Sequence, residues 1–243
     1  MTIDRTAIVT GAGKRVGAEI ARALLEDGWA VVGHVHHADD QVPAGAVKAV
    51  ADLASGDCAD AIFGAAAGLP PVRLLANNAA RFAWDGLGDF STGEFAAHMA
   101  VNVQAPVLLA GRLAREHGGG DALVVNLLDS KLAAPNPDYL SYSLSKSALA
   151  AFTEMAARGF ASKGIRVNAI APALMLQSSG QTARNFAAMH ADNPLHRGVE
   201  PDDVIAAIRY LADARCVTGQ VLVIDSGQHF MALDRDVQFL GDR

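Results

Sequence analysis

Seven short apolar runs, spread along 243 residues, constrain this chain more than any other feature. They are TAIVT at 6–10, AVVGHV at 30–35, AVKAVAD at 46–52, VRLLANN at 72–78, ALVVNLL at 122–128, IRVNAI at 165–170 and QVLVID at 220–225. Their near-continuous apolar character suits strands covered on both faces, as in a parallel sheet. Helical patterns lie between them, such as 16–28 and 141–164, the latter ending in the stop signal Lys163-Gly164. Strand and helix in repeated alternation predict an α/β fold: one doubly wound, seven-stranded parallel sheet with helices on both faces. Nothing in the sequence divides residues 1–243, so a single domain is expected. The least patterned stretch, 173–198, is rich in Ser, Gln, Gly and Asn. It reads either as a flap over a site or as an ordinary surface insertion.

Composition narrows the function. A net charge of −6 argues against a surface built to hold nucleic-acid phosphates. No segment reaches the ~18 uninterrupted apolar residues of a membrane span. The N-terminus lacks a basic region followed by a long apolar stretch, so no signal peptide is expected, and the chain reads as cytoplasmic. The two cysteines, Cys58 and Cys216, have no metal-like spacing and read as thiols in a reducing compartment.

After the first run comes Thr10-Gly11-Ala12-Gly13-Lys14-Arg15-Val16-Gly17, then a helix. Glycines there allow a tight turn and a close approach to pyrophosphate, which the free N–H groups of a helix N-terminus attract. The spacing 11, 13, 17 departs from Gly-x-Gly-x-x-Gly and points to a different dinucleotide-binding lineage. The second run ends in His34-Val35-His36-His37, where an NAD site would place Asp or Glu for the ribose. With Lys14 and Arg15 nearby, that favours a 2′-phosphate and hence NADP. A solvated strand end is the plainer reading. A histidine metal site lacks a companion ligand set, so no metal is expected.

Tyr142 and Lys146 are four apart and share a helix face. An ammonium near a phenol lowers the phenol's pKa and makes it usable for proton transfer. Ser143-Leu144-Ser145-Lys146 also fits the Ser-x-x-Lys of acyl-enzyme hydrolases, but the companion Ser-Asp-Asn and Lys-Thr-Gly elements are absent. Tyr139 lacks a lysine four residues on. Thirteen residues before Tyr142 stands Asp129, at the mouth of a strand, where a turn cap is the plain alternative.

The turn 10–17, Asp52-Leu53, Asn77-Asn78-Ala79, Asn102, Tyr142-x-x-x-Lys146 and Val217-Thr218-Gly219-Gln220 together resemble the successive motifs of the short-chain dehydrogenase/reductase family. The resemblance covers essentially the whole chain. It implies a Rossmann-like domain, a nicotinamide cofactor, and a homotetramer in which the helices at 93–117 and 141–163 pair across subunits. It implies cofactor contacts from Gly11, Gly13, Lys14, Arg15, Val16, Gly17, His34, His36 and His37. Asp52, Leu53, Asn78, Ala79, Pro172, Tyr142 and Lys146 complete that set, and Asn102 supports a water-linked proton relay. The chain departs from the family where Asp129 replaces the usual Ser, where Arg15 replaces a small residue, and where Ala173 follows Pro172. The first two departures resemble the pteridine reductase subgroup. Its His-x-His-Arg string is matched by His34-Val35-His36-His37 except for the last residue, and Ala80 stands where its serine would. In that subgroup the catalytic trio is Asp129, Tyr142 and Lys146, and the substrate meets Arg15, Phe82, Asp129, Tyr142 and Leu174.

A carbonyl needs a neutral donor beside its oxygen, whereas a C=N bond needs a proton on nitrogen as hydride reaches carbon. A part-buried Asp with raised pKa supplies that proton. The leading expectation is an NADPH-dependent reductase taking dihydropterin or dihydrofolate to the tetrahydro form. A carbonyl or alcohol oxidoreductase using Ser130, and a non-catalytic NADP-binding module, are the alternatives.

Overall fold

In the computed structural model, residues 3–178 and 180–240 are described. The strands are β1 (Thr6–Val9), β2 (Ala30–Val35), β3 (Val47–Val50), β4 (Val72–Asn77), β5 (Ala122–Leu127), β6 (Ile165–Pro172) and β7 (Val221–Ile224). All seven form one sheet in the order β3-β2-β1-β4-β5-β6-β7, every pair parallel. The helices are α1 (Arg15–Glu26), α2 (Cys58–Gly64), α3 (Thr92–Met99), α4 (Ala105–Glu116), α5 (Leu140–Phe160), α6 (Ala183–His190) and α7 (Pro201–Asp213).

Alternation along each strand divides the core in two. Ala7 and Val9 of β1 pack with Ile20, Leu24, Ile208 and Leu211 of α1 and α7. Ile8, between them, joins Ile62, Leu109 and Leu113 of α2 and α4 on the opposite face. Leu109 and Leu113 are almost fully buried, and each such side chain stabilises the fold by about 1.5–3 kcal/mol. Helices cover both faces of the central strands, which explains why those sequences lack a polar alternation.

Two differences from the sequence reading bear on the site. The helix expected over 93–117 is interrupted by a π-helical turn, Ala100–Gln104, which contains Asn102. β6 runs two residues past the expected 165–170, carrying Pro172 to the sheet's edge of the crevice. A buried polar ladder sets α5 against the sheet. Asn77 Nδ2 donates to Asn126 Oδ1 (2.8 Å), Asn126 Nδ2 to Thr153 Oγ1 (2.9 Å), and Thr153 Oγ1 to Leu149 O (2.9 Å).

Candidate active site

The strand order reverses between β1 and β4, and the crevice outside their carboxyl ends is where α/β sheets bind ligands. Thr10 joins the two tips: its Oγ1 accepts from the N–H groups of Asn78 and Ala79, both at 3.0 Å. Asn78 Nδ2 donates to Thr10 O (2.9 Å), so this side chain secures the turn. Gly11 has φ +69°, a conformation that favours glycine. A Cβ at Gly17 would overlap Gly11's carbonyl oxygen. The N-terminus of α1 has no side-chain cap and no acid in its first turn, while Lys14 and Arg15 stand exposed beside it. Uncapped N–H groups flanked by cations and free of carboxylates fit a dinucleotide pyrophosphate.

His36 and His37 are exposed at the end of β2, their rings 4.2 Å apart edge to face, with His36 Nδ1 4.0 Å from Asp52. His34 does something else. It is buried, accepts from Gly11 N–H through Nδ1 (3.2 Å) and lies 3.0 Å from Ala51 O through Nε2. Burial pushes its pKa down, so the neutral Nε2–H tautomer serves both contacts. His34 positions the glycine turn and has no free nitrogen for a cofactor. Leu53 likewise gives its side chain to the core, and Asp52 caps the following turn by accepting from Ala54 N–H (2.9 Å).

Beside this crevice lies a cleft of about 540 Å³ lined by Arg15, Val16, Phe82, Asp129, Tyr142 and Leu174. Tyr142 OH donates to Asp129 Oδ2 (2.9 Å), and Asp129 Oδ1 accepts from Lys131 N–H (2.9 Å). Burial raises the Asp129 pKa, partly offset by those two hydrogen bonds. Burial, then the Asp129 charge, holds the Tyr142 phenol well above its usual value. This corrects the expectation that Lys146 lowers it. Lys146 Nζ sits 5.7 Å from the Tyr142 ring centre and donates to Leu127 O (2.6 Å). Burial lowers the lysine's own pKa to about 8. Asn102 is also engaged: Nδ2 donates to Arg81 O (3.0 Å) and Ser145 Oγ (2.9 Å), and Oδ1 accepts from Arg81 N–H (2.7 Å). It holds the segment that presents Phe82. Phe82 stacks on Tyr139 (4.2 Å, 25°) and meets Tyr142 edge to face (4.8 Å, 87°). Arg15, at φ 53°, reaches across to donate to the carbonyls of Gln177 (3.0 Å) and Leu176 (3.3 Å).

Residues 11–229 match the family model described as enoyl-(acyl carrier protein) reductase. The chain is 33% identical over 240 residues to cis-4-hydroxycyclohexanecarboxylate dehydrogenase of Sinomonas cyclohexanicum, covering 92% of this chain and 96% of that one. It is 30% identical to 3beta-hydroxysteroid dehydrogenase 1 of Eggerthella lenta, covering 92% and 93%. Among solved structures, the FolM alternative dihydrofolate reductase 1 of Brucella canis, complexed with NADP, superposes with a TM-score of 0.89. It is 34% identical, covering 95% of this chain and 96% of that one. The chain belongs to the short-chain dehydrogenase/reductase family. It is an oxidoreductase.

This short-chain dehydrogenase/reductase also uses residues that the sequence reading missed. Asp85, buried, accepts from Ser141 N–H (2.8 Å) and Ser141 Oγ, capping α5 from 56 positions away. His98, fully buried, accepts from Ala83 N–H (3.3 Å) and contacts Glu94 O (2.7 Å), supporting the loop after Phe82. Residues 233–239 form a strap along the cleft. Leu233, Arg235, Asp236 and Val237 line it, and Phe239 packs edge to face on Trp84 (5.2 Å). Tyr139, at φ 54°, donates from its OH to Gln238 Oε1. Among the described residues no helix is long and apolar enough to cross a membrane.

Proposed function

We propose that the protein is an NADPH-dependent reductase of dihydropterins or dihydrofolate. The hydrogen bond from Tyr142 to a part-buried Asp129 of raised pKa carries this reading. A carboxyl kept neutral in a cleft donates a proton to a ring nitrogen, which a C=N substrate requires, whereas a ketone takes its proton on oxygen. Bound NADPH supplies the hydride. The chain's residues do the rest: Gly11 to Gly17, Lys14 and the N-terminus of α1 would hold the pyrophosphate, and His36 and His37 would face the ribose phosphate. Phe82 would stack on a flat ring. Once Asp129 has given up its proton, the Tyr142 hydroxyl and Lys131 N–H stabilise the carboxylate, with the Lys146 ammonium behind it. The 34% identity to an alternative dihydrofolate reductase complexed with NADP supports the same substrate class.

NADPH oxidation followed against dihydrobiopterin, dihydrofolate and a ketone panel tests the proposal. Turnover of ketones alone would select the second reading, a carbonyl or alcohol oxidoreductase. That reading draws on Ser130, which lines the same cleft, and on relatives named as dehydrogenases of hydroxylated rings. We also propose a homo-oligomer, since Val107 of α4 and Leu144 and Met155 of α5 leave apolar surface exposed. Size-exclusion chromatography with light scattering reads the state directly, and a monomer would refute it.

A further inference from the structure

The strap brings a second carboxylate into the cleft. Asp236 lines the same cavity as Phe82, Asp129 and Tyr142, and these two aspartates are the acids of its wall. Its placement is over-determined. Oδ1 accepts from Gln238 N–H (3.1 Å) and Oδ2 from the Lys131 ammonium (3.3 Å). Lys131 stands two residues after Asp129, so this ion pair ties the strap to the catalytic loop. Behind it, buried Asp138 takes both a two-oxygen contact from Arg235 Nε (3.0 and 2.8 Å) and the Asp236 N–H (2.7 Å).

A carboxylate has about four lone-pair positions, and the protein donors fill two. The Asp236 side chain keeps 18% of its surface accessible, with the cleft in front of it. The other charged groups on this wall either only donate or serve the catalytic pair. Asp129 is bound to Tyr142, Arg15 to the carbonyls at 176 and 177, and Arg235 only donates. Asp236 therefore offers a ligand a carboxylate acceptor, beside the neutral Ser130, Asn136 and Gln228 of the same wall.

We propose that Asp236 is a substrate-recognition residue, accepting hydrogen bonds from the N–H edge of an amino-substituted pteridine ring. This rests on the pterin reading above and adds how the ring is chosen. A ketone presents no N–H donors, so it leaves this carboxylate facing apolar or acceptor atoms, which disfavours its binding. Asp129 then serves the chemistry and Asp236 the choice of ligand.

The test is calorimetric titration of the protein saturated with NADP+, which cannot reduce the ring, using a dihydropterin and its 2-desamino analogue. The unmodified protein is expected to prefer the amino ring by about 10- to 100-fold, the range for a hydrogen bond to a charged group. Asp236→Asn preserves shape and is expected to bring that preference within about threefold, leaving the NADP+ dissociation constant unchanged. In turnover, its KM rises more than its kcat falls. Arg235→Ala loosens the strap and weakens both rings alike. Equal binding of the two rings by the unmodified protein overturns the proposal without any variant, as does an unchanged preference in Asp236→Asn. Failure of the unmodified protein to bind either ring overturns the pterin reading itself, a different and recognisable result.

Discussion

Removing Asp85 should disable the site without touching any residue that meets the substrate. α5 carries Tyr142 and Lys146, yet its own N-cap residue, Tyr139, makes no side-chain capping bond. Asp85 supplies that cap, receiving Ser141 N–H at 2.8 Å and the Ser141 hydroxyl, and Ser141 is fully buried. Asp85→Ala leaves two buried donors unpaired, at about 1–3 kcal/mol each, with water entry relieving part of the loss. A net cost of about 3 kcal/mol agrees with the upper end of N-cap deletions, about 2 kcal/mol, plus the second donor. At about 2–4 °C per kcal/mol for a domain of this size, Tm should fall by about 6–12 °C. Asp85→Asn keeps one acceptor and should lose about half as much. The measurement is thermal unfolding by circular dichroism, with kcat recorded beside it. A Tm within about 2 °C of the parent would refute the reasoning, because Ser141 would then have found another partner.

Replacing Asp129 with Ser should lower dihydropterin turnover by about 10²- to 10⁴-fold, the usual worth of a positioned acid, while NADPH affinity by fluorescence titration stays nearly constant. kcat/KM for reduction should fall as pH rises through the raised Asp129 pKa, because the protonated acid is the active form. A further decline near pH 8, where Lys146 loses its charge, should vanish in Lys146→Met. A profile flat from pH 5 to 9 would exclude Asp129 as the donor. Gly17→Ala sets a methyl against Gly11's carbonyl and 2.5 Å from Asn78 Nδ2. Because the first of these is backbone, it should cost at least about 1–3 kcal/mol and weaken NADPH binding more than pterin binding.

The fold was legible because its determinants are local and repetitive. Each strand announced itself as an apolar run, and observed and expected limits differ by only a residue or two in most cases, as at Val47–Val50 within 46–52. Asp129, Tyr142, Phe82, Arg15 and Leu174 do line one cleft, since all but Phe82, which sits in the loop after β4, lie beside a strand end or on a helix. What stayed hidden depends on distant partners. His34 looked like its neighbours His36 and His37, but it lies inside β2, held between Gly11 and Ala51, whereas those two lie past the strand's end. The strap has no periodicity, and its anchors at Asp138 lie 97 and 98 positions away. The π turn at Ala100–Gln104 leaves no compositional trace, although it sets the direction of Asn102. The shift at Tyr142 reversed because burial, and then the Asp129 charge, raise the phenol while Lys146 gives its nearest contact to a backbone carbonyl, a matter of ångströms rather than of spacing.

Arg15 and Tyr139 both hold left-handed backbone, at φ 53° and 54°, where an L side chain costs roughly 1–2 kcal/mol more than glycine. One sends a guanidinium to the carbonyls at 176 and 177; the other lays the floor under Phe82. At residue 139 truncating a buried aromatic to glycine would cost about 3–5 kcal/mol, more than the strain it relieves, so packing keeps the left-handed backbone in place. Tyr139→Gly would leave Phe82 with nothing beneath it, and Arg15→Gly would release the carbonyls at 176 and 177. Only at the exposed Arg15 do backbone strain and side-chain contacts come near balance, and a library varied at residues 15 and 139 should show that difference directly.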